Sequence, residues 1–274
     1  MTASARIDGR GARDGQRPVL PRWLLGPAGV ATFLVVWELV PRVGLVDGRF
    51  LPAFSAVARA LADRVRTETF WTAFLDTLVT WATGLSIALA AGIGLGMVIG
   101  SVALLRDATA STIEFLRPIP SVALIPLAVL MFGTGRASTL LLVVYATFWQ
   151  VLVQVLYGVQ DVDPVARDTA RTYRFRFLTE GVRLVWPTTL PYAMTGFRLG
   201  ATVALILTIT GELIIGTPGL GKLLALAQQS GQVASMYGIV VVTGLLGVVV
   251  NIGARLVERR VLHWHPSVRR ERSS

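Results

Sequence analysis

The sequence predicts an all-α integral membrane protein with six transmembrane helices, and three observations carry that prediction. Hydrophobic residues make up 53% of the 274 positions and charged residues only 15%, against roughly 45–50% and about 25% in a soluble domain. Six apolar segments can be read along the chain, which has a mean hydropathy of +0.63, and apolar stretches of that length belong in lipid. Positive charge gathers in alternate connections between them. These figures exclude an ordinary soluble enzyme and a disordered chain. With no Cys and two His, thiol chemistry and disulfides are excluded, and zinc, haem and iron–sulfur sites lose their usual ligands. No metal site and no cofactor are expected in this chain.

The first segment runs from Trp23 to about Val40, enough for roughly 27 Å of helix. It reads as a retained anchor and not a cleaved signal, because a long polar leader precedes it, Glu38 lies within it and no small-x-small site follows. The second runs from about Thr77 to Leu104. Gly84, Ala88, Gly92, Gly96 and Gly100 recur at every fourth position there and so share one helical face, which invites close approach of another backbone. Packing within one subunit and a face that moves against a neighbour both account for it. The third segment, about Ile119 to Phe132, is short. Pro118, Pro120 and Pro126 remove three backbone donors and should bend or break it. Such a segment either lines a substrate path or is a kinked structural helix.

The fourth segment runs from Ser138 to Tyr157, the fifth from Pro191 to Ile215 and the sixth from Tyr237 to about Val257. Gly196, Gly200 and Ala204 repeat the small-residue spacing in the fifth. Its polar residues include Thr202, Thr208 and Glu212, and an intramembrane ionisable group is a functional candidate. Glu212 lies near the segment's end, where it either serves a pathway or caps the following loop. Pro120, Pro126, Thr202, Thr208 and Glu212 are the pathway candidates. Arg198 is placed to snorkel to the interface.

Orientation follows from Arg and Lys. The leader holds five, the connection after the second segment two, that after the fourth five and the stretch from Arg255 onward six, against seven in the opposite loops. Both termini are expected in the cytoplasm. The net charge of +10 is then a topology signal and not a nucleic-acid footprint, so no nucleic-acid partner is expected. His263 and His265 flank Trp264 in the basic tail and read as an interfacial anchor.

Gly216-Thr217-Pro218-Gly219-Leu220-Gly221-Lys222 matches most of a phosphate-binding loop. Leu223 stands where the magnesium-binding hydroxyl would be, and a membrane span precedes the loop where a strand is required. A Gly- and Pro-rich turn opening a short helix is the better account. The charge count puts that turn outside the cell, away from ATP.

The connection from Gly158 to Leu190 is the most informative stretch. Asp163-Pro164 predicts a helix start, an acceptor at the N-cap followed by Pro at the first position. A helix to about Arg174 would set Arg167, Arg171 and Arg174 on one face, with Asp168 and Thr172 beside it. Phe175 to Val185 reads as amphipathic, and Pro187 and Pro191 then end the loop. Exposed aromatics on such a loop point to a docked partner or to an interfacial helix on lipid.

Here the chain resembles the integral membrane permease subunits of bacterial ABC importers. Those permeases carry a cytoplasmic E-A-A, three residues, G, nine residues, I-x-L-P. Asp168-Thr169-Ala170 stands at the E-A-A, and Leu184, Trp186 and Pro187 at the I, L and P. Arg174 occupies the glycine position. Glycine there accepts dihedrals that Arg resists, so a remodelled turn or a weakened coupling is expected. Leu51-Pro52, Leu116-Arg117-Pro118-Ile119-Pro120, Phe132-Gly133-Thr134-Gly135, Gly211-Glu212 and Gly219-Leu220-Gly221 place the resemblance closest to the nitrate, sulfonate and taurine branch.

The resemblance implies a basic leader at 1–22, a permease domain at 23–262 with its coupling loop at 158–190, and a basic tail at 263–274. It implies a homodimer in the bacterial cytoplasmic membrane. An ATPase dimer would dock on the coupling loop and carry Mg-ATP, and an extracytoplasmic solute-binding protein would deliver the substrate. Asp163, Arg167, Asp168, Thr169, Ala170, Arg171, Arg174, Leu184 and Pro187 are the expected coupling residues. The chain itself would be non-catalytic.

Overall fold

The computed structural model describes residues 22–264 and, among them, contains helices and no strand. The chain divides into two compact units, Met1–Ala56 and Val57–Ser274. In the first, α1 (Arg22–Arg42) carries Glu38 on its last turns. The Glu38 carboxylate accepts the Ser55 backbone N–H at 2.8 Å and its hydroxyl at 2.9 Å. Trp37 Nε1 donates to the Pro52 carbonyl at 3.1 Å. The acidic residue inside this apolar segment thus fastens the returning chain. Helix α2 (Phe54–Val65) leads out of this unit.

The second unit is built on three long helices, α3 (Glu68–Ser101), α6 (Arg136–Gln160) and α9 (Trp186–Ile215). Small residues decide how they pack. Gly84, Gly92, Gly96 and Gly100 on α3 lie against Val143, Val151, Val155 and Val159 on α6, and a Cβ on any of them would come within 2.5–2.9 Å of the facing valine. The glycine face is therefore spent on packing within one subunit. An adjoining face of α6 receives α9 in antiparallel order, with Gly158 against Thr189, Gly200 against Thr147 and Gly211 against Thr139, and Val151 serves both faces, meeting Gly92 of α3 and Gly196 and Gly200 of α9. Helix α6 is thus buried between two neighbours. Helices α10 (Leu220–Gln229) and α11 (Val233–Val261) pack on α9.

The pairing of Gly84 with Val143 and of Gly100 with Val159 makes α3 and α6 parallel. The chain between Ser101 and Arg136 must therefore return across the bundle. It does so through α4 (Ala103–Leu116) and a second limb, a 3₁₀ turn at Ser121–Leu124 running into α5 (Ile125–Phe132), with a bend of 82° at the break between Leu116 and Ser121. Pro118 and Pro120 sit at that bend, and Pro126 opens α5, where its missing N–H is harmless. The sequence reading treats Ile119–Phe132 as the third span. The observed crossing also uses α4, which that reading leaves in a loop, and α5 alone has only eight residues.

Each of the six expected segments is helical, but not each is a span by length and composition. Among the described residues four helices qualify, Glu68–Ser101, Arg136–Gln160, Phe177–Ile215 and Val233–Val261, and the bent pair makes a fifth. The other departures are at the boundaries. Helix α3 begins at Glu68, nine residues before the expected Thr77, and Asp76 within this added stretch is ion-paired with Arg136. Pro187 and Pro191 do not end the loop. A π turn at Gly181–Val185 joins α8 (Phe177–Glu180) to α9 and carries the helix through both prolines.

Candidate functional site

The connection between α6 and α9 folds as its caps dictate. Asp163 Oδ1 accepts the Val165 N–H at 2.8 Å and Pro164 takes the first position of α7 (Pro164–Thr172). The helix ends in a Schellman turn: the Phe175 N–H reaches the Ala170 carbonyl at 3.0 Å and the Arg174 N–H reaches Arg171 at 2.9 Å. That motif needs a left-handed residue, and Arg174 supplies it at φ +53°, alone among the described non-glycine residues. Arg174 thus adopts the dihedrals that an L-residue resists, at a steric cost of roughly 1–2 kcal/mol.

Ending α7 at Thr172 breaks the expected arginine face. Arg174 leaves the helix, and Arg171 stays exposed beside Asp168, 3.4 Å away. Arg167 turns inward, where its Nη2 donates to the Val159 carbonyl at 3.1 Å. Thr169 and Thr172 return their hydroxyls to carbonyls of α7 itself. Ala170 is buried, as are Val159, Val162 and Val185 beneath the loop, with Leu184 packed against that cluster. The outer surface is apolar instead: Tyr173 is 74% exposed, Leu178 76% and Val182 67%. Glu180 and the Asp161–Tyr192 hydrogen bond, 2.9 Å long, are functional candidates that the sequence reading misses. Its position as the one carboxylate between Arg171 and Arg183 was the available signal for Glu180.

Pro187 lines a cavity of about 540 Å³ at this end, together with Asp161, Thr188, Tyr192, Thr195 and Trp264. A groove of about 410 Å³ lies at the opposite end of the bundle between α3 and α10, with Glu68, Asp76 and Lys222 on its walls. Pro120, Pro126, Thr202, Thr208 and Glu212 line neither. Thr202 is exposed while Thr208 is fully buried, and both hydroxyls bond carbonyls of their own helix. Pro120 and Pro126 are exposed. The structure does not gather the pathway candidates onto one face. His263 folds back on the Arg260 carbonyl at 3.1 Å, and His265 lies outside the described residues.

Glu212 is fully buried and serves the following loop. Its Oε2 accepts the Thr77 hydroxyl at 2.9 Å and the Gly221 N–H at 3.0 Å, and Thr77 in turn accepts the Leu220 N–H at 2.9 Å. Gly219, at φ +153°, lies against this carboxylate so closely that any Cβ would overlap it. The first two N–H groups of α10 are therefore already taken by the chain's own side chains, Leu220 by Thr77 and Gly221 by Glu212. An incoming phosphate would find these donors occupied and the Glu212 carboxyl in its place, so the Gly216–Lys222 stretch does not fit a nucleotide.

The comparisons agree with this geometry. Residues 68–263 match the family described as the binding-protein-dependent transport system inner membrane component. The chain is 28% identical over 248 residues to the taurine transport system permease protein of Escherichia coli, covering 87% of this chain and 89% of that one. It is 23% identical over 240 residues to the nitrate import permease protein of Synechocystis, covering 84% and 86%. Its fold resembles that of a chain in the inward-facing MetNI methionine ABC transporter at a TM-score of 0.58, with 15% identity and coverage of 68% of this chain and 93% of that one. With a buried three-helix core, a capped and outwardly apolar loop between two spans, and a family match over most of its length, the chain belongs to the binding-protein-dependent inner membrane components and is a permease subunit of an ABC importer.

Proposed function

We propose that this permease moves a small anion of the sulfonate, taurine or nitrate kind into the cytoplasm by alternating access, driven by ATP hydrolysed on a separate ATPase dimer. The relatives' names support the solute class. In this reading two copies of the chain pair in the bacterial cytoplasmic membrane. Both termini face the cytoplasm, with the leader at 1–22 and the tail at 263–274 flanking the permease domain at 23–262. A solute-binding protein delivers the anion to the outer end, where Lys222 is exposed. Mg-ATP stays on the partner, since the one phosphate-loop-like stretch here is filled by Glu212.

The single observation that carries the proposal is the α7–α8 surface. Tyr173, Phe177, Leu178 and Val182 expose apolar area beside Arg171, Arg174, Arg176 and Arg183. A solvated loop has no need of such side chains, whereas a docking surface combines aromatic anchors with a charged rim. Asp163, Asp168, Thr169, Ala170, Arg171, Arg174, Leu184 and Pro187 build that surface or brace it. Thr202, Pro120 and Pro126, which are exposed, remain assigned to the pathway, whose wall the second copy completes, and Thr208, fully buried, acts on it only from behind, through the packing of α9. Glu212 acts on it by fixing α10.

The test is gentle-detergent purification of the tagged chain from its native host. An ATPase recovered in equal amount supports the proposal, and its loss on Leu178→Asp with Val182→Asp locates the surface. A folded permease recovered without an ATPase contradicts it and returns the chain to an ATP-independent transporter.

A further inference from the structure

Among the described residues, Arg167 makes the only polar ties between α7 and the spans. Its Nη2 donates to the carbonyl of Val159, in the last turn of α6, where carbonyls lack helical partners and a cation is favoured. Its Nε faces Glu180 Oε1 at 3.9 Å, beyond hydrogen-bond reach, and is buried without a hydrogen-bond partner. Glu180 ends α8, which continues through the π turn into α9. One guanidinium therefore touches three bodies: the docking helix, the end of one span and the start of another.

The two contacts are unequal. The Val159 bond is made, while the Glu180 contact is open by about 1 Å relative to a charge-assisted hydrogen bond of roughly 2.7–2.9 Å. Leaving a buried Nε unpaired is unfavourable, so a small shift of α7 toward α8 is rewarded. The π turn behind Glu180 is where such a shift can be absorbed, since π turns inside helices mark places where the regular bonding ladder is interrupted.

We infer that Arg167 is the positioning residue through which displacement of α7 reaches α6 and α9, with the Arg167–Glu180 contact closing when the partner ATPase moves the loop. The inference rests on the transport reading above. It assigns a direction to the coupling: α6 follows α7 at all times through Val159, and α9 follows only once Glu180 is engaged.

The chain has no Cys, so one introduced at Ile214, exposed on α9, gives it a single spin-label site, labelled before the ATPase is added. The distance between labels in the two copies of the assembled complex is measured with and without MgATP and vanadate. The wild-type sequence is expected to show a nucleotide-driven shift. Arg167→Met is expected to retain under a quarter of the shift per assembled complex, with Arg167→Lys recovering at least half. A merely structural arginine would lower assembly or thermal stability and leave the shift per assembled complex unchanged, which overturns the inference. If Arg167→Met does not assemble, Glu180→Gln carries the test, because it leaves the Val159 bond intact. A full shift in that variant overturns the inference, and a reduced one supports it. A wild-type chain that recovers no ATPase overturns the transport reading and this inference with it. A wild-type complex that assembles and shifts while the variants match it overturns this inference alone.

Discussion

Arg174 is an arginine at a position the backbone would give to glycine. Its φ of +53° closes the Schellman turn after α7, and the left-handed conformation costs an L-residue roughly 1–2 kcal/mol. Arg174→Gly removes that cost but adds unfolded-chain freedom of roughly 0.4–1 kcal/mol. The variant should gain about 0.5–1 kcal/mol, a rise of about 2 °C in the midpoint of thermal unfolding in detergent. A lower midpoint would mean that the arginine side chain stabilises the turn. Glu212 sets the opposite case. Glu212→Ala leaves the Gly221 N–H without its acceptor in a buried site and should cost about 1–3 kcal/mol, while Glu212→Gln keeps an acceptor and loses less. Limited proteolysis of the Gly216–Gly219 turn reports the difference, and equal protection in all three forms would contradict the clamp. The sequence singles out both residues for a physical reason, one by its wrong type in a turn and the other by its charge in lipid. It does not reveal that Glu212 answers Thr77, because their 135-residue separation leaves no local pattern.

At the scale of elements, spacing of four was enough to find the glycine face of α3, since every fourth residue shares a face. The partner was not legible, because Val143, Val151, Val155 and Val159 look like any apolar run. The packing makes a sharp contrast available. Gly96 lies under Val155, whereas a Cβ added at Gly94 on the same helix would meet nothing within 4 Å beyond its own helix turn. Gly96→Ala should destabilise by about 1–3 kcal/mol through overpacking, and Gly94→Ala should be neutral or slightly stabilising. Equal midpoints for the two variants would contradict the α3–α6 contact. The bent crossing shows the reverse limit. Three prolines announce a break, but where the chain goes after it depends on α4, whose polar composition resembles a loop. The helix through Pro187 and Pro191 was missed for a related reason: proline usually ends a helix, and the π turn that absorbs the misfit leaves no mark in composition.

For the whole molecule, hydropathy led to the membrane, the resemblance carried by Asp168-Thr169-Ala170, Leu184, Trp186 and Pro187 led to the class of protein, and the comparisons place it in its family. Pathway residues were not legible in the same way. Thr202 and Thr208 sit two-thirds of a turn apart around α9 and both bond their own helix, and polar residues in a span do not by themselves distinguish a path from a satisfied hydroxyl. The central claim is that this permease transports only when its loop engages an ATPase. Its most direct test is uptake of labelled taurine and of nitrate into proteoliposomes containing the permease, its co-purified ATPase and the neighbouring binding protein, for the wild type and for Ala170→Trp. Ala170 is buried under the loop, so the indole should displace α7. The account predicts ATP-dependent uptake by the wild type, reduced at least tenfold in Ala170→Trp while the variant still inserts into the membrane. Uptake that proceeds equally without ATP, or equally in the variant, would contradict it.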